Sequence, residues 1–306
     1  MPPPTAEVFS KRAFHELGLE CAGHPQWRSY KHNCNLDRYR QAYGVTPKTV
    51  ARVWHELRTS NNPAAKLPVD SNPIHLLLSI RFLWRYEVYE DLGRFFGIRS
   101  PKTVKKWVWE YLKRMSHLLS ILIPSDWMSV YNGLRFFFSI DGTHCAIQEP
   151  APFSPVWSSH KFGGKPALNY EIALRIDKPQ LLWIYGPSAP GAQNDMAVFK
   201  TALLGKLQQM TAHDGVTLKG IGDKGYRGEP QYLSTKNSLD PAEIAEFKNR
   251  VMARHETFNQ KLKMFDVLSG VFRHELELHR VCFESVAVLT VIQLQNKSLR
   301  LFNPYP

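Results

Sequence analysis

Cysteine is scarce in this chain, and long apolar runs are missing from it. The 306 residues include four cysteines, which are scattered along the sequence: Cys21, Cys34, Cys145 and Cys282. Disulfide-stapled scaffolds are short and dense in cysteine, so this usage indicates a reducing compartment. No stretch reaches the roughly 18 apolar residues that a membrane-spanning helix needs. The sequence therefore predicts a soluble intracellular protein without a membrane partner.

The sequence also lacks a Lys/Arg-rich cluster of the type that directs nuclear import, although the chain as a whole is basic. Its formal net charge is +12 and its isoelectric point is about 9.5. The excess is uneven, because residues 1–135 hold 20 Lys and Arg against 11 Asp and Glu and so carry +9 of the +12. Such a balance favours an anionic partner, and nucleic acid is the most common one.

An imperfect internal repeat occurs within this basic part. The segment Tyr43–Val50 recurs as Phe96–Val104 with one residue inserted, and each copy lies between two stretches with helical spacing. Glycine ends one helix, and Thr or Ser followed by Pro opens the next, which is typical of a helix-turn-helix. We expect the second copy to contact DNA through the residues that its last helix presents, Lys102, Lys105, Lys106 and Trp109. The alternative is a helical hairpin with a solvated lysine face and with Trp107 or Trp109 in its core.

The pattern of apolar residues changes near residue 134. Short strand-like runs and longer helical stretches then follow each other, with strands expected at Arg135–Ile140, Tyr170–Ile176, Leu181–Tyr185 and Val216–Ile221 and helices at Asp195–Gln209, Pro241–Leu268 and Ser285–Gln295. This order predicts an α/β domain, a sheet with helices packed on it. We therefore divide the chain into a basic helical region (1–60), a linker with a helix-turn-helix (61–133) and an α/β domain (134–306).

Four acidic residues lie in short motifs of this last segment. They are Asp141 in Ile-Asp-Gly-Thr-His-Cys, Asp195 in Gln-Asn-Asp, Asp223 in Gly-Asp-Lys-Gly-Tyr and Glu256 in Arg-His-Glu. Acids at strand ends meet in the crevice where α/β sheets bind ligands, and carboxylates are the ligands that Mg²⁺ and similar cations prefer. Each acid also has a simpler interpretation: a turn residue for Asp141 and Asp223, a helix N-cap for Asp195, and a surface ion pair for Glu256.

The helical stretch around Glu256 carries further candidates. Glu256, Asn259 and Lys263 have the spacing of one helix face, and we expect Lys261 and Lys263 to lie near DNA phosphates. His144 and Lys224 stand beside the acids and are weaker candidates for phosphate contacts.

Together and in this order, the motifs resemble those of the PIF/Harbinger-type DDE transposases, the DDE superfamily endonuclease group. The resemblance covers about residues 75–300. It extends over Tyr89–Leu112, Ser158–Lys161, Asn169-Tyr170, Pro190-Gly191, Phe247–Asn249, Leu262-Lys263 and the closing stretch Ser285–Gln295. Asn194 stands where relatives often have His, and residues 1–60 find no match.

The resemblance implies an RNase H-like catalytic fold and a divalent metal cofactor, Mg²⁺ or Mn²⁺. It implies that Asp141, Asp223 and Glu256 form the catalytic acidic triad, with Asp195 as a further acid at the metal. By the same resemblance we expect transposon-end and target DNA as substrates and a separate Myb/SANT-like DNA-binding partner. We also expect a homodimer or larger assembly, and a location in the nucleus that becomes cytoplasmic without the partner.

Two functions remain open at this point. The first is a transposase-like endonuclease that cleaves phosphodiester bonds and transfers 3′-hydroxyl strands by a two-metal mechanism. The second is a transposase-derived DNA-binding or regulatory protein without nuclease activity. Retention of all four acids favours the enzyme.

Overall fold

The computed structural model describes residues 9–24, 32–152 and 154–296, apart from the side chains of residues 32 and 33. The chain forms two compact units. The first takes the described residues of Met1–Ile121, Leu262–Ser269 and Glu275–Lys297, and the second takes those of Leu122–Lys261 and Gly270–His274. The sequence predicted three consecutive segments. In the structure, the C-terminal helix belongs to the N-terminal helical unit.

The described residues contain twelve α-helices and five strands. The helices are α1 Lys11–Cys21, α2 His32–Tyr43, α3 Pro47–Thr59, α4 Pro73–Arg85, α5 Tyr89–Phe96, α6 Pro101–His117, α7 Leu119–Leu122, α8 Asp195–Phe199, α9 Gly205–Asp214, α10 Ala242–Leu262, α11 Asp266–Ser269 and α12 Leu276–Gln295. The strands are β1 Phe138–Ala146, β2 Ala167–Arg175, β3 Leu181–Ser188, β4 Gly220–Ile221 and β5 Leu233–Ser234. Within these ranges no helix combines the length and apolar character that crossing a membrane requires.

Both copies of the internal repeat fold as helix, tight turn and helix, which confirms the secondary structure predicted for them. Gly44 follows α2 and Gly97 follows α5, each in the left-handed region that a glycine adopts at little cost. The side chains of Thr46 and Ser100 then accept hydrogen bonds from the first turns of α3 and α6, and a proline follows each cap. The same local chemistry therefore builds the turn twice.

The packing of α6 divides its aromatic residues from its lysines. Trp109 is buried and donates a hydrogen bond from Nε1 to the Tyr89 hydroxyl at 2.8 Å, so the expectation that it faces DNA is wrong. The reason is that α6 packs its apolar face against α4 and α5, where Trp109 meets Phe82 and Tyr89. The half-buried Trp107 instead stacks on His75, with ring centroids 4.1 Å apart.

The second unit is built on a mixed five-stranded sheet. The strand order is β3-β2-β1-β4-β5. Strands β1, β2 and β3 are antiparallel, whereas β4 pairs with β1 and β5 pairs with β4 in parallel. The predicted α/β class is thus confirmed as a mixed sheet flanked by helices.

Alternate residues of β1 face opposite layers of helices, as the two-residue period of a strand requires. On one face Phe138 and Ile140 pack with Phe199 and Leu203. On the other face the Ser139 hydroxyl lies 2.8 Å from Nδ1 of His255 in α10. This alternation decides which helix layer each residue of the Asp141-Gly142 pair meets.

Several boundaries differ from the predicted ones. Strand β1 continues through Asp141 to Ala146, because β2 pairs with it residue by residue over its whole length and overrides the apparent Asp-Gly turn. The predicted strand Val216–Ile221 is reduced to β4. The helix that begins at Asp195 contains a π-helical stretch, Lys200–Leu204, before α9 continues to Asp214. The long polar helix ends at Leu262, and α11 is separate from it.

The two turn glycines allow a matched test of this packing. A Cβ at Gly97 would meet open space, whereas a Cβ at Gly44 would lie 2.2 Å from the Trp84 ring. We expect Gly97→Ala to lower the free energy of unfolding by about 1–2 kcal/mol through its left-handed backbone alone. Gly44→Ala should cost clearly more, because Trp84 must also move. Urea unfolding of both variants checks this, and equal losses would contradict the packing described for Gly44.

Candidate active site

Three of the four predicted acids come together in the sheet-based unit. Asp141 lies within β1, Asp223 follows β4, and Asp195 is the first residue of α8. Their proximity is visible at Gly225, where an added Cβ would lie 2.8 Å from Oδ2 of Asp195 and 3.0 Å from Oδ1 of Asp223. Asp223 and Asp195 also raise the pKa of Asp141. Three motifs whose acids are 54 and 28 residues apart in sequence therefore place their carboxylates in one region.

The structure shows which of these acids have the simpler roles of helix cap or turn residue. Asn194, and not Asp195, caps α8 by accepting a hydrogen bond from the amide of Ala197 at 2.9 Å. Asp141 lies inside a paired strand and is not a turn residue. Asp223 does have a turn role, since its Oδ1 accepts a hydrogen bond from the Gly225 amide at 2.8 Å. The carboxylates of Asp141 and Asp195 thus have no capping or turn role to explain them.

Burial and mutual repulsion make ionisation of this cluster unfavourable. The pKa of Asp141 is raised to about 6, chiefly by burial and in smaller part by the charges of Asp223 and Asp195, while Lys161 opposes the rise. Burial likewise raises the pKa of Asp195, with Asp223 adding to the effect. A cation among these carboxylates would relieve the repulsion.

Lys161 is the cation that most strongly lowers the pKa of these acids. The sequence did not predict it as a site residue. Its Nζ donates a hydrogen bond to the Gly142 carbonyl at 2.8 Å. From there it lowers the pKa of both Asp141 and Asp195. The residue belongs to the Ser158–Lys161 segment of the family resemblance, so a signal for it was present, but its chemistry was not assigned.

Glu171 is a further acid that the sequence reasoning missed. It is fully buried in the middle of β2, opposite Gly142 in the register of the sheet. Tyr226 donates a hydrogen bond from its hydroxyl to Oε2, and the Asn169 amide donates to Oε1 at 3.3 Å. The pKa of Glu171 is raised to about 8, chiefly by burial and in smaller part by the charge of Asp195, while the Tyr226 hydrogen bond opposes the rise. The available signal was the one carboxylate in a strand that is mostly apolar.

Glu256 lies apart from the three aspartates. It is exposed on α10, where the side-chain amide of Gln260 donates to it at 3.4 Å. The residue of α10 that does contact Asp141 is Asn259, which donates from Nδ2 to Oδ2 at 2.9 Å. Glu256 precedes Asn259 by three residues and so lies about one helical turn away from it.

The predicted phosphate-contacting residues fall into two groups. Lys102, Lys105 and Lys106 are exposed on the first half of α6 and form no ion pair within the ranges described. Lys261 and Lys263 are half-buried, and α10 ends at Leu262, so Lys263 does not continue the helix face of Glu256 as expected. His144 is buried with its Nδ1 2.6 Å from the Ser159 hydroxyl, so it is enclosed and not presented to a ligand.

The donor chemistry of the cluster suits a hard divalent cation. Carboxylate oxygens dominate it, and two amide oxygens add to them: Oδ1 of Asn169 and Oδ1 of Asn259 are both buried without a hydrogen-bond partner. Mg²⁺ and Mn²⁺ prefer such oxygen ligands. Among the residues that the structure describes, no three His, Cys, Asp or Glu side chains converge closely enough to hold a metal directly as they stand.

No protein-family model, curated protein or solved structure matches the chain.

The buried Glu171 predicts an unusual dependence of stability on pH. Its carboxyl has a pKa near 8 in the folded chain and near its ordinary value of 4.5 in the unfolded chain. Between these values the folded state holds a proton that the unfolded state has released, so stability falls as pH rises. We expect Glu171→Gln to flatten this fall between about pH 5 and pH 8. Urea unfolding in EDTA across that range measures it, and parallel pH profiles for the variant and wild type would contradict the assignment.

Proposed function

We propose that this chain is a transposase-like endonuclease that uses divalent metal ions, Mg²⁺ or Mn²⁺, to cleave DNA phosphodiester bonds and transfer 3′-hydroxyl strands. The observation that carries the proposal is the convergence of Asp141, Asp195 and Asp223, from three separate motifs, beside Lys161. A repulsive carboxylate cluster in a chain of net charge +12 suits metal-assisted chemistry on a polyanion.

Membership of the PIF/Harbinger-type DDE transposases belongs to the same proposal. A mixed sheet flanked by helices, with acids on β1, after β4 and at the start of a helix, supports an RNase H-like domain at the level of architecture. The proposal includes transposon-end and target DNA as substrates and a Myb/SANT-like protein as partner. It also includes a homodimer or larger assembly and nuclear action, with a cytoplasmic location when the partner is absent.

Each residue of the cluster has a distinct part in the proposed reaction. Divalent cations at such a site lower the pKa of an attacking water or hydroxyl and stabilise the leaving oxygen. Asp141 and Asp223 would hold these cations, with Asp195 as an additional ligand. Asn259 orients Asp141 through its hydrogen bond to Oδ2. Lys161 balances part of the negative charge before a cation and the DNA phosphates enter.

Glu256 completes the proposed triad from α10. Its exposure leaves the side chain able to change rotamer, and its position one turn before Asn259 lies on the part of α10 that contacts Asp141. Such a change of rotamer would accompany the binding of the cation.

DNA binding in this proposal relies on the second helix-turn-helix. The lysines of α6 are exposed, whereas in the first copy Arg52 pairs with Glu56 and Arg58 donates to the carbonyls of Pro68 and Val69. Cations already engaged within the chain are less available for phosphates. The second copy is therefore the better candidate for the backbone contacts that dominate DNA affinity.

One observation favours the second function, a DNA-binding protein without nuclease activity. Glu256 is exposed, and the residue of α10 that contacts Asp141 is Asn259. A site that lacks its third acid would still bind DNA through α6 but would not cleave it.

Cleavage of DNA separates these two functions. We expect cutting of terminal-repeat DNA in Mg²⁺ or Mn²⁺ but not in EDTA, and a loss of at least about a hundredfold for Asp141→Asn and Asp223→Asn. Glu246→Gln, an exposed substitution elsewhere on α10, is the control and should cut normally. Wild-type cutting by Asp223→Asn would contradict the site. Loss of cutting by Glu256→Gln at unchanged stability would assign the exposed acid to the reaction.

The repeat supplies a matched test for DNA binding. Lys102 and Lys106 occupy the same helix positions in α6 as Lys48 and Arg52 in α3. We expect the double variant Lys102→Ala/Lys106→Ala to weaken binding and to reduce the slope of log K against log salt by about 2. Lys48→Ala/Arg52→Ala should change neither by a comparable amount. Fluorescence anisotropy over a salt series measures both, and a larger effect of the first-copy variant would reverse the assignment.

A further inference from the structure

The space beside Gly142 is surrounded by oxygen atoms. A Cβ added at this glycine would lie 3.0 Å from Oε1 of Glu171, 3.2 Å from Oδ1 of Asn169 and 3.3 Å from Oδ1 of Asp195. Gly142 and Asp141 point to opposite faces of β1, so this space is on the α8 side of the strand, whereas Asp141 meets Asn259 on the α10 side.

One of these oxygens is a buried acceptor that lacks a donor. Asn169 is 1% exposed, and its Oδ1 has no hydrogen-bond partner. Leaving a buried polar atom unsatisfied is costly, so an acceptor without a donor that is directed into a polar space indicates a binding position for a positive or donating group. The other amide atom of Asn169, Nδ2, already donates to Glu171.

The glycines of two acid-bearing motifs keep this region open. Any side chain at Gly142 would fill the space among the three oxygens. At Gly225, in the motif of Asp223, a Cβ would lie 2.8 Å from the second oxygen of Asp195. Asp195 is thus approached from both motifs by residues that have no side chain, which leaves room around both of its carboxylate oxygens.

We propose that Glu171, Asp195 and Oδ1 of Asn169 form a binding site for a divalent cation beside Gly142, in addition to the predicted acids Asp141, Asp223 and Glu256. Two carboxylates and an amide oxygen are the donor set of a hard cation, Mg²⁺ or Mn²⁺. The choice of cation rests on the proposed function, since the metal is the one that the nuclease would use. Tyr226, which donates to the far oxygen of Glu171, holds the carboxylate in orientation.

The competing explanation is a proton in place of a cation. A hydrogen bond between Glu171 and Asp195 lowers the pKa of Asp195, so the two carboxyl groups are close enough to share a proton. A shared proton requires neither the Asn169 oxygen nor the open space at Gly142. The two explanations therefore differ in the effect of substitutions at those positions.

Binding of Mn²⁺ to the full chain without DNA tests the inference, read by titration calorimetry and by the electron paramagnetic resonance signal of free Mn²⁺. We expect Glu171→Gln, which preserves size and the Tyr226 contact, to weaken binding at one site by at least about tenfold. Gly142→Ala should do the same without changing any charge. Glu246→Gln is the charge control and should bind as wild type does.

A variant that is expected to bind Mn²⁺ more tightly controls for variants that lose binding because they misfold. Asn169→Asp adds a carboxylate oxygen at the same position, and we expect it to tighten Mn²⁺ binding severalfold. Wild-type binding by Glu171→Gln, or no change in Asn169→Asp, would overturn the inference in favour of the shared proton. Thermal unfolding in EDTA establishes that each variant is folded.

The inference and the proposed function fail in different ways. If Asp223→Asn abolishes cleavage while Glu171→Gln binds Mn²⁺ normally, the nuclease stands and this cation site does not. If no metal supports cleavage while the Glu171, Gly142 and Asn169 variants shift Mn²⁺ binding as expected, the cation site stands without the nuclease.

Discussion

Burial of several carboxylates close to one another is the constraint on which the sheet-based unit depends. Asp141, Asp195 and Glu171 all have raised pKa values, chiefly because burial disfavours their charged forms. The groups that offset this are local: Lys161 above the Gly142 carbonyl, Tyr226 on Glu171 and Asn259 on Asp141. A fold under selection for stability alone would replace such a cluster with apolar residues, so its presence is a reason to assign it a function.

The pairing of the sheet fixes the positions of these carboxylates. Because successive residues of β1 face opposite helix layers, Asp141 meets α10 while Gly142 opens toward Asp195 and Glu171. The parallel pairing of β4 with β1 brings the Asp223 motif to the same region. Both the proposed nuclease and the additional cation site therefore use one strand, each from a different face, and Asp195 is the acid that adjoins both.

The sequence predicted the features that depend on residues close to one another along the chain. The glycine, cap and proline pattern identified both helix-turn-helix segments, and the motif acids Asp141, Asp195 and Asp223 do lie near each other. The features that the sequence did not predict depend on tertiary packing. The extension of β1 through Asp141 follows from its partner β2, and the burial of Trp109 follows from helix packing. Glu171 was missed because its strand reads as ordinary core, and its neighbours Asp195 and Tyr226 are 24 and 55 residues away in sequence.

The most direct test of the central claim is to locate the cation on the protein itself. Fe²⁺ can replace Mg²⁺ at oxygen-ligand sites, and with ascorbate and peroxide it cuts the polypeptide near the place where it binds. The account predicts cleavage of the chain close to Asp141, Glu171, Asp195 and Asp223, suppressed by excess Mg²⁺ and by Asp195→Asn. Cuts confined to other parts of the chain, or cuts that persist unchanged in Asp195→Asn, would contradict a metal site at this cluster.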